Sequence, residues 1–307
     1  MRMLITGGSG FIGSHIAEYY QNKAEVRVLD NFRTGYKRNL AHLNVELIEG
    51  DICDREAVRR AMEGVDYVFH LAAMVSVPES MSKITECIDI NGTGMINVLE
   101  EAAAAGVKKL CFSTSAAIYG DNPEVPKREL MLPEPKSPYA VTKLDGEYYC
   151  KMFTDTGRLQ TACLRYFNVF GPRQDPNSAY AAAVPIFIAR ALENKPITIF
   201  GDGGQTRDFI FVKDIAAANA FMAEHEFTGV YNIAYGGRIT IQDLAEKIVR
   251  LTNSNSTIEH LPERAGDVRH SMAAVDKLNA TGFVPTYDFE EGLRQTIEFY
   301  TRNLRSL

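Results

Sequence analysis

Residues 1–30 read MRMLITGGSGFIGSHIAEYYQNKAEVRVLD. The run Arg2–Thr6 predicts a short apolar strand, Ile12–Gln21 has helical periodicity, and Glu25–Leu29 is β-rich again. Gly7, Gly8, Gly10 and Gly13 stand between the first strand and the helix. Glycines are needed there for a tight turn, for close approach of a pyrophosphate to the backbone, and for packing of helix on strand. The helix start then offers unpaired N–H groups and a positive dipole end. Gly7, Gly10, Phe11, Ile12 and Gly13 are therefore candidate cofactor contacts. Asp30 ends the second strand, 17 residues past Gly13. A carboxylate at that place accepts hydrogen bonds from a ribose diol and repels a 2′-phosphate. With Asn31 beside it, Asp30 predicts NAD rather than NADP, an exclusion that the nearby Arg33 weakens.

The same alternation continues outward. Val45–Ile48, Tyr67–His70, Lys109–Ser113 and Thr161–Tyr166 read as strands, and Arg55–Met62, Gly92–Ala105 and Tyr139–Phe153 as helices. Such alternation predicts an α/β protein with a doubly wound parallel sheet, the Rossmann architecture. Asp51 and Ile52, after the third strand, are placed to meet an adenine. Beyond Tyr166 the pattern loosens. Gly171–Tyr180 (GPRQDPNSAY) has loop composition, and helical pieces return at Asp214–Glu224 and Ile241–Leu251. In the last helix Phe289, Leu293, Ile297, Tyr300 and Leu304 recur at helical intervals behind the capping-box pair Asp288 and Glu291. The expected division is a cofactor-binding Rossmann domain over 1–166, to which some later segments return, and a smaller mixed α/β substrate lobe over 167–307.

Composition narrows the function. The chain has 307 residues, 46% hydrophobic and 23% charged, the mix of an ordinary globular protein. Its 33 basic and 39 acidic residues give a net charge of −6, with no basic tract. That disfavours broad binding to nucleic acid or anionic membranes. The five cysteines are scattered without a CxxC or Cys/His cluster, so neither a disulfide framework nor a metal site is expected. No apolar run approaches the roughly 18 residues of a membrane span. The first residues lack the apolar core and cleavage site of a secretion signal, and a cytoplasmic location is expected.

The candidate chemistry lies in Ser137-Pro138-Tyr139-Ala140-Val141-Thr142-Lys143, where serine then proline marks a helix start. Tyr139 and Lys143 are four apart and share a helical face. A phenol ionises near pH 10, too high for a base at neutral pH, and a nearby cation lowers it. Lys143 supplies one charge, and an oxidised nicotinamide would supply another. Ser115 follows the fifth strand, at the carboxyl end where open α/β sheets bind ligands. Its hydroxyl either bridges Tyr139 and a substrate hydroxyl or caps the next turn.

The chain resembles the extended short-chain dehydrogenase/reductases, in the nucleotide-sugar epimerase branch. The likeness rests on GGSGFIG, Leu71-Ala72-Ala73, STSAAIYGD, SPYAVTK, LRYFNVFGPRQDP, FGDGGQTRDFIFV and Arg264–Val268 (RAGDV). It is greatest to the UDP-hexose 4-epimerases, and through RYFNVFGPRQDPNSAYAA to the bacterial UDP-N-acetylglucosamine group. The resemblance implies that Tyr139 removes the proton of the sugar 4-hydroxyl while C4 gives a hydride to tightly held NAD. The 4-keto sugar turns over and takes the hydride back on its other face. It further implies Ser115 as the active-site hydroxyl, and Leu71, Ala72, Ala73 and Tyr166 beside the cofactor. Toward the UDP-sugar it implies Ser76, Asn168, Ala182, Arg207, Arg264, Asp267 and Ser271, and it implies a homodimer built on Gly92–Ala105 and Tyr139–Phe153. Serine at 271 leaves room at the sugar C2 substituent. Ala116 and Ala117 replace the Asp-Glu pair of the related 4,6-dehydratases, which disfavours dehydration. A uronate epimerase, with Ser76 and Arg173 toward C6, and a non-catalytic NAD sensor are the competing readings.

Overall fold

The computed structural model describes residues 1–176, 182–263 and 269–303. The chain opens with β1 (Arg2–Thr6), α1 (Phe11–Tyr20), β2 (Glu25–Asp30), β3 (Glu46–Glu49), α2 (Arg55–Met62) and β4 (Tyr67–His70). It continues through α3 (Val77–Ser82), α4 (Ile84–Ile88), α5 (Gly94–Ala104), β5 (Lys109–Ser115), α6 (Pro138–Asp155) and β6 (Gln160–Tyr166). After β6 come β7 (Val169–Phe170), α7 (Ala183–Leu192), β8 (Ile197–Phe200), β9 (Thr206–Arg207), β10 (Ile210–Phe211), α8 (Val212–Glu224) and β11 (Gly229–Ile233). The described part closes with β12 (Ile239–Thr240), α9 (Ile241–Thr252), β13 (Ile258–Leu261), α10 (Asp276–Asn279) and α11 (Phe289–Asn303).

Seven strands form one parallel sheet in the order β11-β6-β5-β4-β1-β2-β3. Short strands such as Met3-Leu4-Ile5 alternate their side chains between two faces, and both faces are covered, so each residue is buried. Met3 and Ile5 join Ile16 and Tyr20 of α1 and Ile215 and Met222 of α8. Leu4 faces the other way, with Val58 of α2, Val98 of α5 and Cys150 of α6. A third cluster joins Phe170, Ile188, Leu244 and Leu293 of β7, α7, α9 and α11. Outside the large sheet, three two-stranded pairs form, β7 with β10, β8 with β13 and β9 with β12. The chain leaves β1 first toward β2 and β3 and then returns to β4 on its other side. The strand order reverses at β1, and a crevice at such a switch point is where open α/β sheets hold ligands.

Two local features position the site. Asp54 caps α2 by accepting from the N–H of Glu56 and Ala57, and Ser137 caps α6 by accepting from Ala140. The helix expected at Gly92–Ala105 begins earlier than its periodicity suggests. α4 runs through a π-turn at Asp89–Thr93 into α5. Inside that turn the Asn91 side chain accepts from the N–H of Met74 at 2.7 Å and donates to its carbonyl. Among the described residues no helix is long and apolar enough to cross a membrane.

Candidate active site

At the switch point a cleft of about 670 Å3 opens over the carboxyl ends of the strands. Its floor is the glycine turn, with Gly7, Gly10, Phe11, Ile12 and Gly13 in the lining. Gly7 has φ +72°, and a Cβ there would stand 2.7 Å from the Ala72 nitrogen. A Cβ on Gly13 would collide with the Gly7 carbonyl oxygen. α1 therefore packs down on β1, and no side chain caps it, which leaves its first-turn N–H groups for an anion.

The end of β2 supplies Asp30 and Asn31 to the same cleft. The buried Asp30 carboxylate accepts from the N–H of Ser9 at 2.9 Å and of Phe32 at 2.8 Å, one on each oxygen. Each oxygen keeps a lone pair for a ribose hydroxyl. Asn31 donates to Asp51 at 2.8 Å. Burial pushes the Asp51 carboxyl up, but hydrogen bonds from Cys53 and Asn31 outweigh it and hold the group below its ordinary value. Ile52 lines the cleft and packs against α5, where a side chain on Gly94 would strike it. Leu71, Ala72 and Ala73 continue the lining past the glycine turn, and Tyr166 lines the cleft beside Ser115. The turn cradle and the buried carboxylate at the end of β2 fit a dinucleotide.

Ser115, Tyr139 and Lys143 meet at the cleft's other end. Ser115 is the last residue of β5, in register with Tyr166. Its hydroxyl accepts from the N–H of Ala117 at 3.1 Å, capping a short turn over Ala116–Tyr119, and it also favours ionisation of the Tyr139 phenol. The capping reading of this serine is the one the folded chain displays. The Lys143 ammonium donates to the Ser113 carbonyl at 2.8 Å and lies 5.9 Å from the Tyr139 ring centroid. Burial pushes Lys143 down to about 8. Burial also pushes the Tyr139 phenol up, against the pull of Ser115. Two charges are expected beside the phenol, Lys143 and an oxidised nicotinamide, and Lys143 is the one this chain supplies. Desolvation wins in the folded chain, and a phenolate needs further positive charge in the cleft.

The residues expected to hold the rest of a substrate divide. Ala182, at the start of α7, lines the cleft. Ser76 instead spends its hydroxyl capping α3, accepting from Glu79 at 3.1 Å. Asn168, Arg207 and Ser271 are not in the lining; they gather around the segment Thr206–Asp208. Asn168 donates to the Asp208 carbonyl at 3.1 Å, and the Ser271 N–H donates to the Thr206 carbonyl at 3.1 Å. Asp208 is the anchor of this group. Its carboxylate accepts from the N–H of Tyr235, Gly236 and Ala273, and burial pushes it up to about 6. Arg173 lines a separate cavity with His15 and Glu18, both of which its guanidinium contacts. Arg264 and Asp267 lie outside the described residues.

Sequence reasoning passed over part of the lining. Thr34, Gly35 and Tyr36 fold back over the glycine turn, and Tyr36 donates its N–H to the Ser9 carbonyl. Tyr36 reaches Asp175 at 2.7 Å, so the loop after β2 meets the loop after β7. Gly35 was the available signal, since a Cβ there would overlap the Ser9 hydroxyl.

Fold, cleft and the serine–tyrosine–lysine set together define a dinucleotide-dependent enzyme. The chain belongs to the NAD dependent epimerase/dehydratase family, whose model matches residues 3–234. It is similar to a UDP-N-acetylglucosamine 4-epimerase from Methanobrevibacter ruminantium M1 solved with UDP-N-acetylmuramic acid. That likeness has 40% identity, a TM-score of 0.95 and 98% coverage of both chains. A putative UDP-glucose 4-epimerase of Methanocaldococcus jannaschii is 34% identical over 99% of this chain and 100% of its own. A UDP-N-acetyl-alpha-D-glucosaminuronate decarboxylase of Bacillus cytotoxicus is also 34% identical, over 97% of each.

Proposed function

We propose that this protein is a UDP-hexose 4-epimerase. It interconverts UDP-glucose and UDP-galactose and, through the room at Ser271, takes their N-acetylated counterparts. The observation that carries this reading is the convergence of Ser115, Tyr139 and Lys143 in the cofactor cleft, with alanine at 116 and 117. Tyr139 takes the proton of the sugar 4-hydroxyl and returns it later. Ser115, beside the phenol in the same lining, shares a hydrogen bond with that hydroxyl. Lys143 fixes the charge beside the phenol and stays hydrogen-bonded to Ser113. NAD held against the glycine turn and Asp30 would supply a reversible hydride acceptor for C4, which leaves no net oxidation. Alanine carries no proton at 116 and 117, which removes the acid and base that dehydration requires. Asn168, Arg207 and Ser271, joined around Asp208, hold the nucleotide-sugar end, with Arg264 and Asp267.

The decarboxylase relative gives weight to a uronate substrate. Such a substrate needs a cation at C6. Among the described lining residues the cations are Arg33 and Lys143. Arg33 is at the adenosine end and Lys143 is spoken for, while Arg173 lies in the other cavity. The neutral hexose is favoured. A reducing cytoplasm suits five free thiols, four of them buried. The test is incubation of the purified protein with UDP-glucose, UDP-galactose, UDP-GlcNAc, UDP-GalNAc and UDP-glucuronate, without added NAD. Epimerised hexoses are the expected products. Release of carbon dioxide from the uronate would overturn the reading, and NAD binding without turnover would make the chain a sensor.

A further inference from the structure

Arg33 stands three residues past Asp30 on the lining of the cleft. A guanidinium at that place is the usual partner of an adenosine 2′-phosphate, while the carboxylate of Asp30 selects the unphosphorylated ribose. The two signals oppose each other, and the structure shows how the opposition is resolved. One Arg33 nitrogen, Nη2, donates to Oε1 of Glu79 at 2.8 Å, and the other, Nη1, donates to Glu86. Glu79 is on α3 and Glu86 on α4, so the loop after β2 is tied to both helices. Lys83 closes the cluster, 3.0 Å from Glu79 and 3.6 Å from Glu86. Two cations and two anions face one another, and both ends of the guanidinium fork are committed.

We infer that Glu79 and Glu86 set the cofactor specificity by holding Arg33 away from a 2′-phosphate. They are positioning residues that act through Arg33, and the inference rests on the reading that Asp30 faces the adenosine ribose. A 2′-phosphate entering here must take the guanidinium from two carboxylates and settle beside Asp30 and Asp51. Each half-exposed ion pair alone is weak, but a fork held at both nitrogens is a directional, two-point contact. Removing both carboxylate charges leaves Arg33 and Lys83 as an uncompensated cationic pair beside the ribose site.

The test incubates the full-length protein with equal NAD and NADP, desalts it, and quantifies the dinucleotides it carries. The wild type is expected to carry NAD. Glu79→Gln/Glu86→Gln is expected to raise the NADP-to-NAD ratio at least tenfold. Adding Arg33→Ala to that pair should return the ratio to the wild-type value. The single variants leave one carboxylate on the fork, give intermediate ratios, and decide the matter if the double variant fails to fold. An unchanged ratio in all the glutamine variants overturns the inference. So does a gain that survives in the triple variant, because that is the effect of lost negative charge without Arg33. Asp30→Ala tests the underlying reading separately: an unchanged ratio there removes Asp30 from the ribose, whatever the glutamine variants do.

Discussion

Lys143 is only 4% exposed, and burial holds its ammonium near 8, below its ordinary 10.5. The unfolded chain therefore binds a proton more readily than the folded one between pH 8 and 10.5. Stability from this group rises with pH across that window and is flat below it. Lys143→Met, which removes the buried charge but orphans the Ser113 carbonyl, is expected to stabilise the fold at pH 7 by on the order of 1–2 kcal/mol while abolishing epimerisation. Denaturant unfolding at pH 7 and at pH 10.5 checks both parts, since the advantage should shrink at the higher pH. Tyr139→Phe keeps the ring and loses the proton carrier, so turnover should fall by at least a hundredfold with NAD still bound. Near-normal turnover would remove Tyr139 from the chemistry. At Ser271 a substitution to Tyr fills the space proposed for the C2 substituent. The N-acetylated pair should lose activity at least tenfold more than UDP-glucose, and equal losses would place Ser271 elsewhere.

At the scale of elements, α6 carries Tyr139, Lys143 and Glu147 on one face at four-residue intervals. Glu147 is buried and holds Arg165 of β6 through two contacts, at 2.6 and 2.8 Å, while accepting from Thr114 of β5 at 2.9 Å. This pair sets the register of the reactive helix on the two strands that present Ser115 and Tyr166. Glu147→Gln leaves a buried guanidinium without its counter-charge, an expected loss of about 3 kcal/mol in denaturant unfolding. The first six strands were legible because short β-rich runs alternate with helical stretches between glycine-marked turns, and this held even for the edge strand β3, whose Glu46, Leu47 and Glu49 are exposed. β11 was not legible: Gly229–Ile233 includes a buried Asn232 whose amide donates to the Lys127 carbonyl, so its run is broken by a polar residue with a distant partner. α3 was missed because Val77–Ser82 is only 6 residues long and exposes Val77 and Met81, which leaves no apolar helical stripe to read. The cofactor half of the cleft was readable because a turn and a strand end lie close in sequence. The group around Asp208 was less so, since its members come from four separate segments joined by backbone and side-chain hydrogen bonds.

At the scale of the whole molecule, one apolar surface is left without cover in the single chain. Met81 of α3, Ile84 and Ile88 of α4, and Val141, Tyr148 and Met152 of α6 are each between 43% and 58% exposed. α3, α4 and α6 pack on one another, so these residues come from neighbouring helices. An apolar surface of this extent on a folded chain favours association. The proposed occupant is a second copy, related by a twofold axis that brings the same surface onto itself. The helix that supplies half of these residues also carries Tyr139 and Lys143, so pairing would hold the reactive helix from its outer side. Tyr148→Glu/Met152→Glu puts two charges at the centre of the surface while leaving the residues facing the cleft unchanged. Sedimentation should show the wild type at twice the 34.2 kDa chain mass and the variant at that mass. If both sediment as single chains, the exposed surface serves another purpose and the dimer proposal fails. If the variant is a single chain that keeps full turnover, the catalytic cleft is complete within one chain and pairing contributes stability alone.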